Sequence, residues 1–128
     1  MAEPLHESDL EWVTWYEGTP REIRGKALCD VSERSRVGVG LLELPAGSDT
    51  TPAHYHSHEE EHLFVVSGRV VLHLGGRAFE LEPGSYVRFP AGAPVMHHLE
   101  NRYESPCRYV MVGERIPEDI VTHEQPAV

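Results

Sequence analysis

Between Gly47 and Gly68 the chain reads GSDTTPAHYHSHEEEHLFVVSG. Four histidines (His54, His56, His58, His62) and three consecutive glutamates (Glu59, Glu60, Glu61) fall within nine residues of that stretch. Imidazole nitrogens and carboxylate oxygens together suit a divalent transition metal of borderline softness. No cysteine takes part, so a closed thiolate zinc site is not expected. His54 and His56 are two apart, so on an extended segment both rings leave the same face. Glu61 lies five residues beyond His56, which requires a turn, and it heads the apolar run Leu63-Phe64-Val65-Val66, sharing a face with Leu63 and Val65. The expectation is two strands that aim two imidazoles and one carboxylate into a common interior. Taken alone, such a run is as often a solvated loop, and what shifts the balance is a distant fourth group. His97 sits in Pro90-Ala91-Gly92-Ala93-Pro94-Val95-Met96-His97-His98-Leu99-Glu100-Asn101, a turn followed by a second short strand.

At these residues the sequence resembles the cupin superfamily. Its first motif, a glycine, two histidines one residue apart, a glutamate and a closing glycine, reads here Gly47, His54, His56, Glu61, Gly68. Its second, Pro-x-Gly followed by a histidine and an asparagine, reads Pro90, Gly92, His97, Asn101. Two departures are present: one extra residue before His54 and two between Gly92 and His97. Both fall in turns, where insertions cost little. The resemblance spans about residues 37–113 and implies an all-β double-stranded β-helix, a jelly-roll-like barrel in a single domain. It assigns His54, His56, Glu61 and His97 as metal ligands. His98 is the rival to His97, but alternation turns it away from the interior. His58 shares the ligands' parity but lies in the turn, where a solvated role is favoured. Glu59 and Glu60 are read as solvent-facing, or as acceptors for the second nitrogen of a ligating imidazole. His62 and His73 are placed on the outer face, and His123 in the tail.

Three nitrogens and one oxygen leave open positions on a six-coordinate ion. Iron or manganese would suit oxygen or a bidentate substrate there; zinc or nickel would act as a Lewis acid or activate water. The first functional reading is therefore a metal-dependent enzyme on a small-molecule substrate, a dioxygenase before an isomerase or lyase. A small-molecule-binding or sensor barrel without turnover is the second, and a purely structural metal the third. Phe79, Tyr86, Arg88, Phe89, Tyr109 and Met111 are the candidates to face the pocket. Core packing is favoured for the Phe and Met side chains and an outer-face position for Arg88.

The elements that must position these groups follow from the rest of the chain. Its 128 residues suit one domain with one core, and 11 glycines and 10 prolines suit many short strands joined by turns. Val37–Leu44 reads as a strand delivering the chain to the histidines. Arg69–Leu74 and Arg77–Leu81 read as a hairpin about Gly75-Gly76, Tyr86–Phe89 as the next strand, and Cys107–Gly113 as the last. Residues 1–36 are an extension with a charged edge strand over Ala27–Val31, part of the same domain, and 114–128 are a tail, extended or partly helical. Trp12 and Trp15 are expected to cover one end of the barrel or a partner subunit, in keeping with the homodimers common among cupins. A net charge of −10 argues against nucleic acid and anionic membrane, and no run nears the ~20 apolar residues of a membrane span. Cys29 and Cys107 are read as reduced thiols in a cytoplasmic protein.

Overall fold

The computed structural model describes residues 3–29 and 34–125. Asp30 and Val31, the end of the expected edge strand, lie outside the described residues. Eleven strands are present among those described: β1 (Val13–Trp15), β2 (Ile23–Cys29), β3 (Val37–Leu44), β4 (His54–His56), β5 (Glu61–Ser67), β6 (Val70–Leu74), β7 (Arg77–Leu81), β8 (Tyr86–Phe89), β9 (His97–Glu100), β10 (Cys107–Glu114) and β11 (Val121–His123). They form two antiparallel sheets, ordered β1-β2-β3-β10-β5-β8 and β11-β4-β9-β6-β7. The ladders do not merge into a closed ring; the barrel-like interior is the space between two facing sheets. No helix among the described residues is long and apolar enough to cross a membrane.

Alternation along each strand builds that interior. In β5, Leu63 and Val65 are buried while Phe64 and Val66 face out. Leu44, Val70, Leu72, Leu99, Cys107 and Tyr109 join them in one core, with Phe89 at its edge beside His97. The hairpin is as expected, Leu74 opposite Arg77 across Gly75-Gly76. Two motif glycines answer to specific constraints. Gly68 has φ +76, and a Cβ there would strike the Pro106 carbonyl oxygen. Gly92 has φ +77 and donates its N–H to the His56 carbonyl at 2.9 Å, which ties the turn before β9 to β4.

The two tryptophans take different faces. Directly paired residues share a side of the sheet, so Lys26, Leu41, Val110 and Phe64 line the outer face. There Trp12 lies between the Lys26 ammonium and the Arg108 guanidinium, and Lys26 donates to the Glu7 carbonyl at 2.9 Å. Residues 7–12 thus cover a strip of this chain's own outer face. Trp15 lies on the opposite side, its ring packed where Gly25 has no side chain.

Asn101 closes the second motif and is fully buried. Its Nδ2 donates to the carbonyls of Leu44 (3.0 Å) and Ser105 (2.9 Å), and its Oδ1 accepts from Tyr103 N at 3.0 Å. Replacing it removes the partner of the buried Leu44 carbonyl and of the backbone at Tyr103 and Ser105. Asn101→Ala is expected to destabilise the protein by about 1–3 kcal/mol in urea unfolding. A loss below about 0.5 kcal/mol, the range of an ordinary surface substitution, would contradict this role.

Candidate metal centre

β4 is only three residues long, and alternation puts His54 and His56 on one side of it, ring centroids 5.2 Å apart. Residues Ser57–Glu60 turn the chain, and β5 opens on Glu61. From the other direction β9 pairs with β4 so that His97 lies directly opposite His54, ring centroids 4.7 Å apart. The ligand-capable atoms of His54, His56 and Glu61 lie within 4.8 Å of one another, and His97 Nε2 lies 3.9 Å from Glu61 Oε1. Phe89, cross-strand from Glu61, stacks on the His97 ring at 3.8 Å and fixes its plane. The structure brings together all four residues singled out from the sequence.

The electrostatics are uneven. Burial pushes the His97 pKa down to about 4, with neighbouring His54 adding to the effect. Burial also lowers that of His54, partly offset by Glu61. Both rings are therefore neutral near pH 7, with a lone pair free to bind a cation. His56 is raised to about 9 by the Glu61 carboxylate and then by Asp119. For Glu61 burial opposes ionisation, but the surrounding imidazoles hold its pKa below the usual carboxylate value. Glu61 Oε1 lies 3.1 Å from His56 Nε2 without the alignment of a hydrogen bond. It is buried with no hydrogen-bond partner among the described residues. A buried carboxylate oxygen left unpartnered among three imidazoles is the arrangement a cation would complete, so the residues present fit a divalent metal.

His58, His62 and His98 lie away from this centre. His98 turns to the other face and stacks on His73, centroids 4.5 Å apart. His58 is exposed and pairs with the Ser57 hydroxyl. His62 binds Tyr86 and Glu60 on the outer side. Arg88 is at the rim, its Nε donated to Glu60 at 2.7 Å. Glu59 approaches His56 Nδ1 to 3.8 Å. Of the pocket candidates, Phe89, Tyr109 and Met111 line a cavity of about 180 Å³ together with His54, Glu61 and His97, whereas Tyr86 is exposed. A second cavity, about 170 Å³, opens to solvent between Tyr55, Leu74, Phe89, Pro90, Ala93 and Val95, with His56 and His97 at its base.

Two residues of the tail reach this region without having been singled out as site residues. His123, in β11, brings its ring to 5.8 Å from that of His54. Asp119 Oδ2 lies 2.7 Å from His56 Nδ1. The signal that could have found them is the alternation Val121-Thr122-His123, too short to stand out beside two prolines.

A sequence profile described as Cupin domain matches residues 40–113. The chain belongs to the cupin family, and its two facing antiparallel sheets are the cupin fold. Quercetin 2,3-dioxygenase of Bacillus subtilis (strain 168) is 28% identical over 97 residues, which are 73% of this chain and 29% of that protein; the chain thus spans about three tenths of its relative's length. Among solved structures, a cupin-superfamily sugar phosphate isomerase from Silicibacter pomeroyi matches with TM-score 0.85 and 25% identity over 97% of this chain and 83% of its own. The polyketide cyclase RemF from Streptomyces resistomycificus matches in fold with TM-score 0.82 and 24% identity over 99% of this chain and 88% of its own.

The opposed shifts of His97 and His56 predict a pH profile for the metal-free protein. His97 has a folded pKa of about 4 against an ordinary value of 6.5, so the unfolded chain takes the proton first and stability falls as pH drops from 6.5 towards 4. His56, at about 9, contributes fully below pH 6.5 and loses that contribution as pH rises through 9. The melting temperature in the presence of chelator should peak near pH 6.5, and His97→Phe should flatten the acid side. An acid limb as steep in His97→Phe as in wild type would show that the ring is not held neutral.

Proposed function

We propose that this chain is a metal-dependent enzyme of dioxygenase type acting on a small, largely apolar substrate, with His54, His56, Glu61 and His97 holding a divalent Fe, Mn, Ni or Zn ion. The observation that carries the reading is the convergence of three imidazoles on the unpartnered Glu61 carboxylate, beside a cavity that His54, Glu61 and His97 line together. A divalent ion bound there supplies Lewis acidity and, if it is iron or manganese, redox exchange with dioxygen. The chain's own residues do the rest. Neutral His54 and His97 present lone pairs, Phe89 holds the plane of His97, and Tyr55, Leu74, Pro90 and Val95 offer apolar walls to a substrate.

The character of the mouth separates this reading from a sugar phosphate. Among its lining residues Arg88 is the one guanidinium or ammonium, and Glu60 already neutralises it. A dianionic phosphate entering by this mouth would meet the Glu59 carboxylate and an Arg88 already paired with Glu60. The resemblance to quercetin 2,3-dioxygenase supports the same choice. A sensor barrel, the second reading, would bind such a ligand without consuming oxygen.

A pairing with a second copy and a cytoplasmic setting complete the proposal. Phe64, Val66 and Tyr86 stand exposed together on the outer face of β5 and β8, a flat apolar strip suited to packing against its own symmetry mate. Cys29 and Cys107 are free thiols, in keeping with a reducing compartment.

Elemental analysis of wild type, His56→Ala and Glu61→Ala, followed by oxygen-electrode assays with flavonols and with sugar phosphates, tests the reading. About one ion per chain is expected in wild type. Each variant should lose affinity by more than about 100-fold, since loss of an outer-shell partner alone costs 10–100-fold. Oxygen uptake is expected with flavonols only. Wild type that stays metal-free when offered Fe, Mn, Ni and Zn would defeat the proposal, and metal-loaded protein that binds flavonol without oxygen uptake would favour the sensor.

A further inference from the structure

The C-terminal segment is stitched onto the turn that carries the candidate ligands. Asp119 makes three contacts there. Its Oδ1 accepts the backbone N–H groups of His58 (2.8 Å) and Glu59 (2.9 Å), while its Oδ2 faces His56 Nδ1 at 2.7 Å. Around it Ile120 N donates to Ser57 Oγ at 2.7 Å, Ser57 N donates to the Ile120 carbonyl at 3.0 Å, and Ile116 N donates to Glu59 Oε2 at 2.9 Å. Immediately beyond, β11 pairs with β4, Val121 opposite His56. Two amide donors on one carboxylate oxygen fix how the group is turned, so its other oxygen is aimed at a single ring nitrogen.

We propose that Asp119 is a positioning residue for the metal centre: it holds the His56 ring proton on Nδ1, so that Nε2, the nitrogen 3.1 Å from Glu61 Oε1, is the one that presents its lone pair. Imidazole has one proton for two nitrogens in its neutral form, and a carboxylate accepts but cannot donate. Asp119 therefore gives the single ring proton an acceptor on the Nδ1 side, which leaves Nε2 free once a cation takes up the Glu61 carboxylate. This rests on His56 being a ligand, as proposed above, and makes the tail part of the site rather than a wrapping on its surface.

Two substitutions at this position separate positioning from mere closure of the tail. In Asp119→Asn the amide oxygen still accepts from His58 and Glu59, but the NH₂ now donates to Nδ1 and drives the ring proton to Nε2. In Asp119→Ala both roles are lost. Zn(II) affinity by chelator competition is expected to fall about 10–100-fold in each, with Asp119→Asn at least as weak as Asp119→Ala. If the carboxylate served only to tie down the turn, Asp119→Asn would bind Zn(II) close to wild type and Asp119→Ala would be the weaker, and that order would overturn the proposal. The His56 ring tautomer gives a second readout, from nitrogen-15 shifts of metal-free Glu61→Ala, where no Glu61 carboxylate faces Nε2, at a pH above the ring's titration followed in the same spectra. Proton on Nδ1 in Glu61→Ala, and on Nε2 when Asp119→Asn is added, supports the assignment; Nε2–H in Glu61→Ala with Asp119 intact overturns it. Wild type that bound no Zn(II) would remove the metal reading, while the tautomers would still decide what Asp119 does.

Discussion

A carboxylate is held inside this protein without a hydrogen bond to its inward oxygen, and much of the architecture can be understood as what makes that tolerable. Removing an ionised group from water is costly unless charge or hydrogen bonding replaces the lost hydration. Glu61 is placed inward by the same alternation that buries Leu63 and Val65, so it cannot leave without turning β5 over. Compensation comes from three rings on two separate strands: His54 and His56 from β4, His97 from β9. The fold's first task is to bring β4, β5 and β9 to one point.

Each half of the fold contributes differently to that point. The six-stranded sheet supplies the acid and, through Phe89, the surface on which His97 is stacked. The five-stranded sheet supplies the three imidazoles through the short β4–β9 pairing. Gly92 ties the turn before β9 to the His56 carbonyl, and buried Asn101 ties the end of that strand to Leu44 and Ser105. The motif residues beyond the four candidate ligands are thus backbone devices that hold the two sheets in register around the centre.

The periodic part of this arrangement was legible in the sequence. Strands over 37–44, 69–74, 77–81, 86–89 and 107–113 follow from two-residue alternation between glycine and proline turns, within a residue of those observed; alternation also points His54, His56 and Glu61 to one interior, whereas His97 came from the resemblance to the second cupin motif. His98, adjacent to a ligand candidate, was separated from it by the same parity. Parity did not reach the tail: Asp119 meets His56 across 63 residues through a bend with no repeating pattern, and β11 is three residues long. Nor did it settle Trp12 and Trp15, because an aromatic cluster of that spacing fits helix and strand alike. The answer depended on Lys26 and Arg108 waiting on the outer face of β2 and β10.

The account stands or falls on whether these four side chains share one ion. Crystals grown with Zn(II), measured at the zinc absorption edge, give the most direct answer. A single strong anomalous peak is expected, with nitrogens of His54, His56 and His97 and an oxygen of Glu61 about 2.0–2.2 Å away. A peak bound elsewhere on the chain, or one at this centre with the His97 ring turned out of reach, would contradict it.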